Sequence, residues 1–131
     1  MIKKLSIIIP VFNEKETIFE LLEIVEKVPL INKIEKELIV VDDSSSDGSL
    51  DEIKRYISET PNHLITLVQH PFNIGKGGSI HSGIQKANGD YTIIQDADLE
   101  LNPSEYNQLL GPIINNTADI VYGSRFIGSS K

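Results

Sequence analysis

Four short runs dominated by β-branched and other apolar residues, Leu5–Ile9, Glu37–Val41, Leu64–Gln69 and Tyr91–Gln95, are separated by segments whose apolar residues repeat at helical spacing. Runs this short, apolar throughout rather than at alternate positions, suit strands covered on both faces. Between them, Ile18, Leu21, Leu22 and Val25 fall at i, i+3, i+4 and i+7, one stripe of an amphipathic helix. Leu50, Ile53 and Ile57 mark a second helix, Ile80, Ile84 and Ala87 a third, and Tyr106, Leu109, Leu110 and Ile113, after Pro103, a fourth. Asp119–Tyr122 reads as a last short strand. Strand and helix alternate throughout, so right-handed crossovers are expected to build an α/β fold: a mostly parallel sheet flanked by helices on both faces. Local signals set the boundaries. Pro10 ends the first strand, and Asn13 caps the first helix, with Glu14 and Glu16 at its positive end. Asp47 or Ser46 caps the second helix, and Asn88-Gly89 stops the third.

The 131 residues are one domain's worth of chain, and at 40% hydrophobic and 24% charged they hold enough apolar surface for a core. Cysteine is absent, which removes disulfides, thiolate zinc sites and cysteine nucleophiles. Chemistry is left to carboxylates, hydroxyls, amides, histidines or a bound cation. Twelve Lys and Arg against 19 Asp and Glu give a net charge of −7, and Arg55 and Arg125 are the only arginines. Such a chain lacks the basic face that binds a phosphate backbone, so no nucleic-acid partner is expected. No apolar run approaches the roughly 20 residues of a bilayer span, and Met-Ile-Lys-Lys leads straight into a strand. The expectation is a soluble, unprocessed, cytoplasmic chain.

In an open parallel sheet, ligands bind outside the carboxyl ends of the strands, where loops and helix N-termini converge. The unusual polar residues fall there: Asn13 and Glu14 after the first strand, Asp42 and Asp43 after the second, Asn73 to Gly78 after the third, Asp96 and Asp98 after the fourth. Adjacent aspartates at the end of a buried strand repel each other, which points to a ligand for at least one of them. Asp96 and Asp98, alternate residues of an extended segment, either share a hard divalent cation, with Glu100 or a carbonyl nearby, or form a solvated turn. The Gly75-Lys76-Gly77-Gly78 turn matches neither a Walker A loop nor a dinucleotide fingerprint. It is either a tight strand-to-helix turn or a close backbone approach to a ligand, with Lys76 available for a phosphate. His63, His70 and His81 lack metal-ligand spacing and read as structural. Ser44 to Ser46 form no nucleophile elbow. Arg125, in Gly123-Ser124-Arg125, is an anion-binding candidate.

Taken in order, Ser6-Ile7-Ile8-Ile9-Pro10-Val11-Phe12-Asn13-Glu14, Val40-Val41-Asp42-Asp43-Ser44-Ser45-Ser46-Asp47, Asn73-Ile74-Gly75-Lys76-Gly77-Gly78 and Gln95-Asp96-Ala97-Asp98-Leu99-Glu100 resemble the successive motifs of family 2 glycosyltransferases, whose fold is the Rossmann-like GT-A fold. With Val121-Tyr122-Gly123-Ser124-Arg125-Phe126, they most resemble the polyprenyl- or dolichyl-phosphate hexose synthases. The resemblance implies that Pro10, Asn13 and Glu14 border the nucleotide, that Asp42 reads the base or ribose, and that Asp43 supports the same pocket. Asn73, Gly75 and Lys76 would lie against the donor. Asp96 and Asp98 would be the DXD pair, catalytic and metal-binding, with Asp98 the direct ligand and Glu100 a third contact where relatives often carry glutamine. Lys76 and Arg125 would face the diphosphate or the acceptor phosphate. The cofactor implied is Mg²⁺ or Mn²⁺, the donor a UDP-glucose or GDP-mannose type of nucleoside-diphosphate sugar, and the acceptor a polyprenyl or dolichyl phosphate. The alternatives are a glycan hydroxyl as acceptor, or a nucleotide-sugar-binding module without catalysis. Family members are longer, so residues 1–131 are expected to be the donor-binding part of a larger enzyme that meets the membrane through its remaining chain.

Overall fold

A computed structural model of the protein describes residues 4–61, 64–97 and 106–107, and the backbone of 126–128. The elements run β1 (Lys4–Val11), α1 (Ile18–Lys27), a short 3₁₀ turn (Ile31–Lys33), β2 (Glu35–Asp42), α2 (Ser49–Glu59), β3 (Ile65–Gln69), α3 (Lys76–Lys86), β4 (Tyr91–Ile94) and β5 (Phe126–Gly128). The sheet order is β3-β2-β1-β4-β5. The first three pairings are parallel, and β5 joins β4 antiparallel. The expected strand Asp119–Tyr122 and most of the fourth helix lie outside the described residues.

Alternate residues of β1 serve two cores. Leu5, Ile7, Ile9 and Val11 pack with Ile18, Leu21, Leu22 and Val25 of α1 and with Ile53 and Tyr56 of α2, whereas Ile8 packs with Ile39, Val41, Ala87 and Ile94 beneath α3. Helices therefore cover both faces, as the apolar runs require. Ile7, Ile8 and Ile9 are fully buried, and each such side chain contributes about 1.5–3 kcal/mol.

Three local expectations are corrected. β1 continues through Pro10 to Val11. The Ile8 carbonyl accepts from Gln95 N on the β4 side at 2.8 Å, and Pro10, two residues on, faces the same side beyond the end of β4, so its missing N–H breaks no ladder bond. The first helix starts after Thr17, with no side-chain cap. Asn13 stands four residues earlier at φ 55°, its amide oxygen taken by Ser46 N at 2.8 Å. In α3 the fully buried positions are Ser79 and Gly83; Ile80 packs partly buried against the Ile8 cluster as expected, whereas Ile84 is exposed. The helix lies so close to β1 that a Cβ at Gly83 would sit 2.6 Å from the Ile8 methyl, leaving no room there for a large side chain.

Candidate functional site

The chain leaving each parallel strand at its carboxyl end is stitched to its neighbours by side-chain bonds. After β1, Asn13 N donates to Ser45 Oγ (3.0 Å), Glu14 N to Ser49 Oγ (2.8 Å) and Lys15 N to Asp47 Oδ2 (3.1 Å). The N-cap of α2 is Gly48 at φ 97° and not the expected Asp47 or Ser46; Asp47 accepts from Ser49 N at 2.9 Å and so ties the first turn of α2 to the β1 loop. Burial opposes its ionisation, but the bonds from Ser49 and Lys15 outweigh that and hold its carboxyl below the ordinary value. Thr17 Oγ1 then donates to the Ala97 carbonyl at 2.6 Å, joining this loop to the segment after β4.

Asp43 organises the glycine turn. Its Oδ1 accepts from Ile74 N (2.9 Å) and its Oδ2 from Gly75 N (2.8 Å), and its carbonyl accepts from the Asn73 amide (3.2 Å). His70 Nδ1 lies 2.9 Å from Oδ1. Burial pushes the Asp43 carboxyl up, but these bonds and the neighbouring imidazole outweigh it and hold the group below its usual range. Gly75 has φ 94°, a left-handed backbone that a side chain would strain.

Opposite the turn, Lys76 Nζ donates to Asp96 Oδ1, with both side chains nearly half exposed. Between these walls opens a cavity of about 440 Å³ lined by Pro10, Glu14, Asp43, Asn73, Gly75, Lys76 and Asp96, together with Phe12, Ser79 and others. That volume lies within the range of small-molecule sites. Seven of the residues singled out from sequence thus converge. Asn13 is spent on the β1–α2 loop contacts, and Asp42 is not among the lining residues. Asp42 is 2% exposed; its Oδ2 accepts from Ser45 N at 3.3 Å, and its Oδ1 has no hydrogen-bond partner among the described residues. Asp98, Glu100 and Arg125 lie outside the described residues.

Among the described residues, no three His, Cys, Asp or Glu side chains are grouped to hold a metal ion, and no helix is long and apolar enough to cross a membrane. The donor set still suits a hard cation. Asp96 offers carboxylate oxygens on the cavity wall, a cationic ammonium already sits against one of them, and Glu14 shares the same cavity. Oxygen ligands of this kind favour Mg²⁺ or Mn²⁺ over softer metals.

Sequence reading took His70 as structural, without a partner, and missed the other residues that fasten the rim, namely Thr17, Ser45, Ser49 and Ser82. Only the clustering of Ser and Asp at residues 44–49 hinted at them.

Comparison with known proteins gives a consistent answer. The family model for glycosyl transferase family 2 matches residues 6–131. An undecaprenyl-phosphate 4-deoxy-4-formamido-L-arabinose transferase of Proteus mirabilis (strain HI4320) is 38% identical over 109 residues, covering 83% of this chain and 33% of that protein. A dolichol-phosphate mannosyltransferase of Pyrococcus furiosus is 30% identical over 128 residues, covering 98% of this chain and 35% of that protein. Among solved structures, the mannosyltransferase PcManGT from Pyrobaculum calidifontis, in complex with GDP-Man and Mn²⁺, superimposes with a TM-score of 0.63 at 30% identity, covering 72% of this chain and 27% of that one. The chain spans about a third of the length of the curated relatives it matches.

Proposed function

The chain belongs to glycosyl transferase family 2, and from that premise we propose that its cavity binds a nucleoside-diphosphate hexose for metal-assisted, inverting transfer to a polyprenyl phosphate. The observation that carries this reading is the convergence of Asp43, Lys76 and Asp96 on one cavity at the carboxyl edge of the parallel strands. Asp43 accepts an N–H from the base, taking over the role that the motif resemblance gave to Asp42, which is not among the residues lining the cavity. Asn73 and Gly75 set the backbone against the donor. Lys76 exchanges Asp96 for the diphosphate, and Asp96, with Asp98 and Glu100 beyond it in the chain, offers oxygens to the cation. A Mg²⁺ or Mn²⁺ bound there supplies neutralisation of the departing diphosphate's charge. Arg125 pairs with a phosphate of donor or acceptor. A lipid phosphate already carries an anionic oxygen nucleophile, so inversion at the sugar needs no dedicated protein base. The names of the relatives from Proteus and Pyrococcus support a polyprenyl or dolichyl phosphate as acceptor, and the GDP-Man and Mn²⁺ in PcManGT support the donor class and the metal.

Calorimetry of the chain with UDP-glucose and GDP-mannose, with and without Mn²⁺, tests the donor half. Binding of one of them, strengthened by the metal, is expected. No binding of either, or binding indifferent to metal, overturns the reading. Transfer of radiolabelled sugar to undecaprenyl phosphate by the longest natural form of the protein tests the acceptor half, with a glycan hydroxyl as the competing acceptor.

A further inference from the structure

Asp43 is held from behind by a histidine that does not line the cavity. His70 directly follows β3, and its backbone N–H donates to the Asp42 carbonyl at 3.0 Å, so its place is set by the sheet. Its ring is engaged at both nitrogens: Nδ1 lies 2.9 Å from Asp43 Oδ1, and Nε2 lies 2.9 Å from Ser82 Oγ on α3. The side chain is only 10% exposed.

An ionised carboxylate only accepts hydrogen bonds, so Nδ1 carries the proton. The Ser82 hydroxyl, able to donate or accept, satisfies Nε2 with the ring neutral or charged. The acceptor sites of Asp43 can then be followed one by one. Each oxygen offers about two. Among the described residues, Oδ1 receives Ile74 N and His70, whereas Oδ2 receives Gly75 N alone. One acceptor site remains, on Oδ2.

We propose that His70 is a positioning and specificity-determining residue of the donor site. By filling Oδ1 it leaves Oδ2 as the open acceptor of Asp43, and it ties that carboxylate to α3 through Ser82. A single fixed acceptor suits a base that presents a ring N–H, as uracil and guanine do and cytosine and adenine do not. Without His70, Oδ1 regains an acceptor site, the carboxylate loses one of its three lateral restraints, and discrimination among bases falls. The inference rests on the reading of the cavity as a nucleoside-diphosphate site.

The test is calorimetry of the chain with UDP, GDP, CDP and ADP in Mn²⁺, on wild type, His70→Phe, His70→Asn and Ser82→Ala. His70→Phe removes the donor to Asp43, whereas His70→Asn keeps an N–H near the place of Nδ1. Expected results are about a tenfold loss for the preferred diphosphate in His70→Phe, with its lead over CDP and ADP narrowed. His70→Asn should recover to within about threefold of wild type, and Ser82→Ala should lose about threefold. Unchanged affinity and selectivity in His70→Phe overturn the proposal, as does an equal loss in the Phe and Asn variants, which would mark His70 as packing alone. Should His70→Phe fail to fold, the Asn and Ser82→Ala variants decide: selectivity that is lost in His70→Asn, or untouched in Ser82→Ala, overturns it. Failure of the wild type to bind any of the four diphosphates instead overturns the donor-site reading itself.

Discussion

At the amino end of the strands, Glu37, 8% exposed, accepts from Ser6 Oγ at 2.6 Å and from Asn88 N at 2.8 Å, and Ser6 Oγ in turn accepts from Gly89 N at 2.8 Å. At the carboxyl end of the same strand, Asp42 is more deeply buried, yet its Oδ1 finds no partner among the described residues, and one residue on, Asp43 keeps an acceptor site beside a cavity. Both ends bury carboxylates, and only the first closes its network. A satisfied buried charge fixes structure, here the turn that starts β4 against β1, whereas an unsatisfied one costs stability.

Breaking the closed end should cost most. Glu37→Ala strands the Ser6 hydroxyl and the Asn88 N–H, for an expected loss of about 3 kcal/mol in denaturant unfolding with nucleotide affinity unchanged. A loss below about 1 kcal/mol would erase the contrast between the ends. At the open end, Asp96→Asn should weaken Mn²⁺-assisted binding of the nucleotide sugar about 100-fold, equivalent to about 2.7 kcal/mol, while the melting temperature of the free protein stays within about 2 °C of wild type. Its partner Lys76 is half exposed, and surface pairs of this kind are worth little to folding. Asp42→Asn sharpens the contrast, because removing a buried, half-partnered charge should raise stability by about 1 kcal/mol; destabilisation would show that Asp42 is satisfied after all.

The smallest effect is one of pH. The bonds from Ile74, His70 and Gly75 overcome burial and hold the Asp43 carboxyl below its ordinary 3.8. Because the folded value is depressed, its contribution is complete above the unfolded value and lost as pH falls through the folded one. The Ile74 and Gly75 amide resonances should therefore titrate with a midpoint under 3.8, and a midpoint above it would mean that the turn is not held by that carboxylate.

The alternation of apolar runs and helical stripes was legible because burial on both faces of a parallel strand leaves a continuous pattern in the chain. The acidic and glycine-rich segments at the strand ends were legible for a related reason: residues so costly to bury stand out against that pattern. The third helix was only half legible on the same logic: Ile80 packs against the Ile8 cluster, but apolar spacing says nothing about how close the backbone comes to Ile8, and that distance buries Gly83 and Ser79 and leaves Ile84 exposed. Asn13 likewise has the chemistry of a helix cap, but Ser46 from the next loop competes for its oxygen.

Order along the chain thus settled the class of fold and that Asp43 and Asp96 follow the carboxyl ends of its parallel strands, because strand and helix periods are local properties of a sequence. Which aspartate of the Asp42–Asp43 pair borders the cavity, and that His70 and Ser82 stand behind it, depended on packing between segments 27 and 12 residues apart. Hydrogen bonds of that kind leave no period in the sequence, and they form only once the sheet has brought its loops together.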